Sequence, residues 1–261
     1  FVADARTPRT ARQGRMTMTR AARLLLPAVI ALPLVVTAAS AWLLWSITWR
    51  HAESEVGRVA DAATEYAQGL LAANTQFLDS LAERLRGQSD AAITTNEPDW
   101  RQTLQTAVLA RPMTRGVAIL NAADVPLASA GTVPAARMMP SGTTTLRDLL
   151  PSGTRRFGLS PLHGTQDGQI EESFSLFRRR ESEAGLVVVS LGAAPAGAGL
   201  GRLAAGSGDI LTLVHRGDAS ILARSHGLPD GAPRRAPPDG PIARAVAGWQ
   251  GPQTVMIRSP F

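Results

Sequence analysis

Leu24–Trp49 is a run of 26 residues without a charged side chain, LLLPAVIALPLVVTAASAWLLWSITW. As a helix rising about 1.5 Å per residue it measures roughly 39 Å. A hydrocarbon core is about 30 Å thick, so the run is long enough to span a bilayer with some tilt. Such a segment decides which side of a membrane the rest of the chain occupies. Arg6, Arg9, Arg12, Arg15, Arg20 and Arg23 precede it against the lone acid Asp4, whereas the following flank mixes Arg50 and Arg58 with Glu53, Glu55, Asp61 and Glu65. An arginine excess holds its end of a span in the cytoplasm, and Trp42, Trp45 and Trp49 suit the opposite interface. Residues 1–23 are therefore expected inside and residues 50–261 outside. The competing reading is a signal peptide cut after Ala39-Ser40-Ala41, which would release a secreted binding protein. Hydrophobicity continues past that site through Trp42-Leu43-Leu44-Trp45, which favours an uncleaved anchor. The first residue is Phe, and Met16 or Met18 offers an alternative start with a shorter basic tail.

The net charge of +6 has the same origin. Residues 1–23 hold six Arg against one Asp, and the remainder holds 21 Arg against 20 acids. The basicity marks topology, and a nucleic-acid surface is excluded. Lysine is absent, which removes a phosphate-binding P-loop, and cysteine is absent, which removes disulfides and thiolate metal sites. His51, His163, His215 and His226 lack helical metal-ligand spacing, so they read as interfacial, surface or strand residues. Gly199-Leu200-Gly201-Arg202-Leu203-Ala204 matches G-x-G-x-x-A, but no parallel strand–turn–helix unit surrounds it, and a chance match in a Gly/Ala-rich stretch is the better reading. No catalytic constellation, metal site or cofactor site is expected.

Beyond the span, residues 50–87 predict one long helix. Val56, Val59, Ala63, Tyr66, Leu70, Ala73, Phe77, Leu81 and Leu85 form an apolar stripe suited to packing on its own domain or to a parallel homodimer through residues 51–86. Pro98 opens a helix to Ala110. Val117–Asn121 with Val125–Ser129 reads as a hairpin, and a long loop follows with a short helix at Leu146–Leu150. Phe157–Leu162, Ile170–Arg179 and Gly185–Leu191 read as strands, with Arg178-Arg179-Arg180 as a solvated hairpin tip. Residues 193–208 read as a linker or short helix. Ile210–Val214 with Ser220–Arg224 repeats the strand–turn–strand form, and Pro241–Ala247 and Gln253–Arg258 read as helix and strand.

This order, with the two hairpins and Ile221-Leu222-Ala223-Arg224, resembles the periplasmic double-Cache sensor region of bacterial transmembrane receptors. The resemblance implies an α+β fold: a transmembrane helix continuing into a long helix, then two tandem PAS-like antiparallel-sheet units. The first covers residues 98–192 and the second, incomplete, residues 209–261. It implies the inner membrane, a small-molecule ligand and the input region of a sensor histidine kinase. A diguanylate cyclase or chemoreceptor input is the alternative, as is an anchored structural protein without output. In a PAS-like unit the ligand lies between the sheet face and the loop joining the second and third strands. The candidates there are Arg137, Arg115, Arg155, Arg156 and Ser173, Arg137 first from its place in the loop. A guanidinium suits a small carboxylate through two parallel hydrogen bonds, although each arginine could equally lie on the surface or tie down the loop. The family's amino-acid-binding pattern is not matched, since Tyr66 is the one tyrosine and Arg-x-Trp is missing.

Overall fold

The computed structural model describes residues 13–139, 146–150, 157–163, 172–181, 185–205, 210–227 and 234–248. The chain divides into two compact units, Phe1–Glu55 and Val56–Phe261. Helix α1 is Gln13–Arg84. In the first unit its described side chains from Val29 on are almost all exposed, and this stretch is long and apolar enough to cross a membrane. Trp45 and Trp49, one helical turn apart, stack with ring centroids 5.9 Å apart.

The second unit is α+β. Ser89 caps α2 (Asp90–Thr95), its hydroxyl accepting from the Ala92 N–H at 3.2 Å. Helix α3 (Glu97–Leu109) starts on Pro98, as the sequence suggests, whereas α2 was not anticipated. Five strands follow: β1 (Thr114–Leu120), β2 (Pro126–Gly131), β3 (Phe157–Leu159), β4 (Ser173–Arg179) and β5 (Leu186–Gly192). They form one antiparallel sheet in the order β2-β1-β5-β4-β3, a PAS-like arrangement. The first hairpin turns without glycine. Asn121 Oδ1 accepts from the N–H groups of Ala123 and Val125, and Asp124 takes the left-handed conformation at φ 59°.

Period-2 alternation divides the sheet into two faces. Val117, Ile119, Phe174, Leu176, Val187, Val189 and Leu191 pack with Leu78, Leu81 and Leu85 of α1, Ile93 and Leu104. Ala118, Leu120, Phe177, Leu186 and Val188 face the other way, onto Val133, Ala135, Met138 and Leu146 of the β2–β3 connection. That connection holds a 3-10 turn at Ala135–Arg137. At Leu146–Leu150 it forms a turn where a short helix was expected, because Pro151 follows and disfavours helical geometry at the residue before it.

Residues 193–208 are not a plain linker, since Ala193–Leu203 is a helix, α4. A Cβ on Gly197 or Gly201 would run into the backbone carbonyls of Arg224 or Ser225, and one on Gly199 would overlap the Tyr66 phenol. The glycines that mimic a dinucleotide motif thus allow a close approach to β7 (Ile221–Arg224) and α1. Strands β6 (Thr212–Val214) and β7 form the second hairpin, and α5 spans Pro241–Gly248. The strand expected at Gln253–Arg258 lies outside the described residues.

Candidate functional site

The sheet face turned towards the β2–β3 connection carries a transverse row of small residues. Gly116 pairs with Ser190, Ser190 with Ser175, and the Ser160 N–H reaches the Ser175 carbonyl at 2.8 Å. Four positions at interstrand spacing extend about 14 Å. None carries a side chain larger than a hydroxymethyl, so the row forms a shallow polar trough among apolar neighbours. At its β1 end Met138 occupies the space that a Cβ on Gly116 would need.

Each hydroxyl has a distinct role. Ser160 Oγ accepts from the Ser175 N–H at 2.7 Å. Ser175 Oγ donates to the Met138 carbonyl at 2.9 Å, tying the connection to the sheet. His163 stands between the two, with Nδ1 3.3 Å from Ser160 Oγ and 3.1 Å from the Pro161 carbonyl, and Nε2 3.3 Å from Ser175 Oγ. The ring is buried, and its pKa lies below the ordinary 6.5 because burial disfavours the charged form; the Pro161 carbonyl opposes this more weakly. The sequence offered no sign of this placement, and the reading of His163 as an ordinary surface or strand residue is corrected. Its backbone forms an isolated bridge with Ser173 that carries the ring over the sheet.

Among the described residues Ser190 Oγ, on this face, and Thr114 Oγ1, on the α1-side face beside its partner Leu191, are buried without a hydrogen-bond partner. Leaving such a group unpaired costs about 1–3 kcal/mol, a debt that a bound polar molecule would relieve. Of the residues expected at the site, Ser173 is buried and pairs across the sheet with Gly192. Arg115 is half-buried, with Nε 3.0 Å from the place a Cβ on Gly192 would take. The fold thus brings Ser173 and Arg115 to the two sides of one glycine. Arg137 is exposed on the 3-10 turn. Arg155 and Arg156 lie outside the described residues.

The three consecutive arginines are not a solvated tip. Strand alternation turns Arg178 and Arg180 towards the helices and leaves Arg179 exposed. Arg178 pairs with Asp79 of α1 and with Glu181, and lies over the Phe157 ring. The fully buried Arg180 side chain reaches Asp90 at 2.6 Å and the Gln88 carbonyl at 3.0 Å. Strand β4 therefore presents Ser175 to the trough and Arg178 to α1 within four residues.

A second concavity, a groove of about 600 Å³, lies between α1 and α3, lined among others by Phe77, Arg84, Asp99 and Arg111. Arg111 closes one side, its guanidinium 4.1 Å from the Phe77 ring centroid. Its polar walls are mostly solvent-exposed, whereas the unsatisfied buried hydroxyl of Ser190 is on the loop-facing side of the sheet, which makes the trough the better candidate. Among the described residues no group of three His, Cys, Asp or Glu side chains could hold a metal ion.

The chain matches no protein-family model and no curated protein. Among solved structures it is similar to a domain of a sensory box/GGDEF family protein from Vibrio parahaemolyticus. The two are 14% identical over 74% of this chain and 79% of that one, with a TM-score of 0.36.

Proposed function

We propose that this chain is the sensory input region of a membrane-anchored signalling receptor that binds a small extracytoplasmic molecule on the loop-facing side of its five-stranded sheet. The observation that carries the reading is the buried hydroxyl row, with Ser190 Oγ left unpartnered among the described residues on a sheet whose other face is packed against α1. Arg115 beside Gly192 supplies a guanidinium for a small carboxylate, and the hydroxyls supply its polar remainder. Strand β4 links the two faces, so a ligand that favours one position of β4 biases the Asp79–Arg178 contact with α1. It shifts that equilibrium by no more than its difference in affinity for the two states. The N-terminus is cytoplasmic in this reading, residues 50–261 are exported, and a histidine kinase is the first output to test.

The test is a thermal-shift screen of the whole chain in detergent against small carboxylates and amines. A compound that raises the melting temperature of the wild type, and loses its effect in Ser190→Ala and Arg115→Ala, supports the site. A shift retained in both variants places binding elsewhere. A panel without effect favours the anchored structural protein.

A further inference from the structure

Strict alternation would place Arg115 on the same side of β1 as Val117 and Ile119, in the core against α1. The strand avoids this with a β-bulge. Thr114 pairs with Leu191 and Gly116 with Ser190, so Arg115 is one extra residue opposite a single step of β5. Thr114 keeps the α1 side, Gly116 keeps the loop-facing side, and the Arg115 side chain leaves the core. Its place is marked by Gly192, which pairs with Ser173 and shares the loop-facing side with Ser190. A Cβ on Gly192 would sit 3.0 Å from Arg115 Nε, so the side chain lies over that glycine. The bulge thus decides between a charge in an apolar core and a charge beside the trough.

The end of β2 and the residues after it hold the bulge. The Arg115 carbonyl accepts from the Thr132 N–H at 2.8 Å, the Val133 N–H at 3.1 Å and the Thr132 hydroxyl at 3.2 Å. Three donors on one carbonyl fix the peptide that carries the Arg115 side chain. Gly131 lets them come this close. It stands at φ 114°, where glycine is favoured, and a Cβ there would overlap the Arg115 carbonyl and the Gly116 Cα. Val133 is buried and anchors the segment in the loop-side core. Thr132 is exposed, and its hydroxyl contributes one directed bond, to this carbonyl.

We propose that Gly131 and Thr132 are positioning residues for Arg115: they clamp the bulge carbonyl and so hold the guanidinium over Gly192, where a ligand carboxylate on the trough would meet it. Neither residue touches the ligand in this arrangement, and both act through Arg115. The role in ligand recognition rests on the sensory reading above, whereas the clamp does not. Gly131 and Gly192 belong to β2 and β5, with β1 between them. Arg115 reaches both, its carbonyl at Gly131 and its Nε at Gly192.

The whole chain in detergent is unfolded in urea as the wild type, Gly131→Ala, Gly192→Ala and the double variant, and again with Arg115→Ala added to each. The new methyl at Gly192 collides with Arg115 Nε and with Pro195. If the clamp sets the place of the guanidinium, Gly131→Ala displaces it, and Gly192→Ala then lowers the midpoint less than it does alone. With Arg115→Ala the two losses should add. Additive losses in the presence of Arg115 overturn the proposal, as does a coupling that survives Arg115→Ala. If Gly131→Ala does not fold, Thr132→Val takes its place, and Thr132→Ser, which keeps the hydroxyl, must restore the full loss. The second readout is the thermal shift produced by acetate. Thr132→Val should raise the acetate concentration for half the shift by about three- to tenfold, the effect of losing one hydrogen bond, and Thr132→Ser should bring it back. An unchanged acetate response in Thr132→Val overturns the positioning role. A wild type that acetate does not shift counts against the carboxylate reading instead, and the urea cycle alone then decides the clamp.

Discussion

At the scale of single residues, alternation along β4 decides which charges matter. The Arg180 side chain is fully buried between Asp90 and the Gln88 carbonyl, while Arg179 next to it is exposed. Arg180→Ala removes the buried guanidinium that joins β4 to Asp90 and the Gln88 carbonyl and should cost about 3 kcal/mol. Arg179→Ala should stay within about 0.5 kcal/mol, and urea denaturation separates the two. A run of three arginines reads as solvated when judged by composition. It reads correctly only once the strand and its buried face are known, so the tertiary contacts with Asp79 and Asp90 were not legible. His163 gives the clearest pH signature. Its folded-state pKa is below 6.5, so the unfolded chain binds the proton more readily. Stability from this ring is complete above that value and is lost as the pH falls through 6.5 towards the folded-state pKa. Asp218 acts lower. Burial pushes its carboxyl up, but hydrogen bonds from His215 and Ser220 outweigh this and hold it below 3.8. Its contribution is present above 3.8 and is lost as the pH falls through the lowered pKa. Thermal melts across pH 7.5 to 3 should therefore show two successive losses, and His163→Gln should remove the upper one alone.

At the scale of elements, the hairpins, α3 and the three later strands of the sheet were legible because periodicity and turn chemistry are local. Helix α4 was less so. Its glycines lower helix propensity, and only packing explains them. Gly197→Ala would press a methyl into the Arg224 carbonyl and should destabilise by about 1–3 kcal/mol. Gly69 in α1 has nothing within 4 Å of a new Cβ, so Gly69→Ala should instead stabilise by about 0.5–1 kcal/mol. Melting temperatures of the two variants make the comparison, and equal shifts would mean that α4 does not press on β7. The α1 stripe was read with a 3/4 spacing, and in the structure it departs from the buried face around Ala73–Leu78. Leu78 is fully buried and Phe77 only partly, while Ala73 is exposed. Leu81 and Leu85, the last members of the stripe, are again buried on the sheet.

At the scale of the whole molecule, the burial of α1 limits where a second copy could pair. From Ala63 to Leu85 the apolar positions of α1 are largely engaged by the sheet, the other helices and the second hairpin. Val56 and Val59 are half-buried and lie before the first α1 residue of that core. A parallel homodimer through α1 should then be confined to the end of the helix near the apolar span. The chain has no cysteine, so single cysteines can be introduced into an otherwise thiol-free background. Under mild oxidation in membranes, Val56→Cys and Val59→Cys are expected to give disulfide-linked dimers, and Leu81→Cys and Leu85→Cys to remain monomeric. Non-reducing gels give the answer. Cross-linking at Leu81 or Leu85 in the folded protein would show that the sheet gives up α1 on pairing, and its absence at Val56 and Val59 would remove the dimer. If the dimer holds, a cross-link at Val56 fixes the pairing below the sensory unit and leaves the Asp79–Arg178 contact free to move, whereas a bridge engineered between positions 79 and 178 would freeze it. Only the second should uncouple a ligand on the sheet face from α1, which places the transmitting contact in β4 and the pairing contact beside the span.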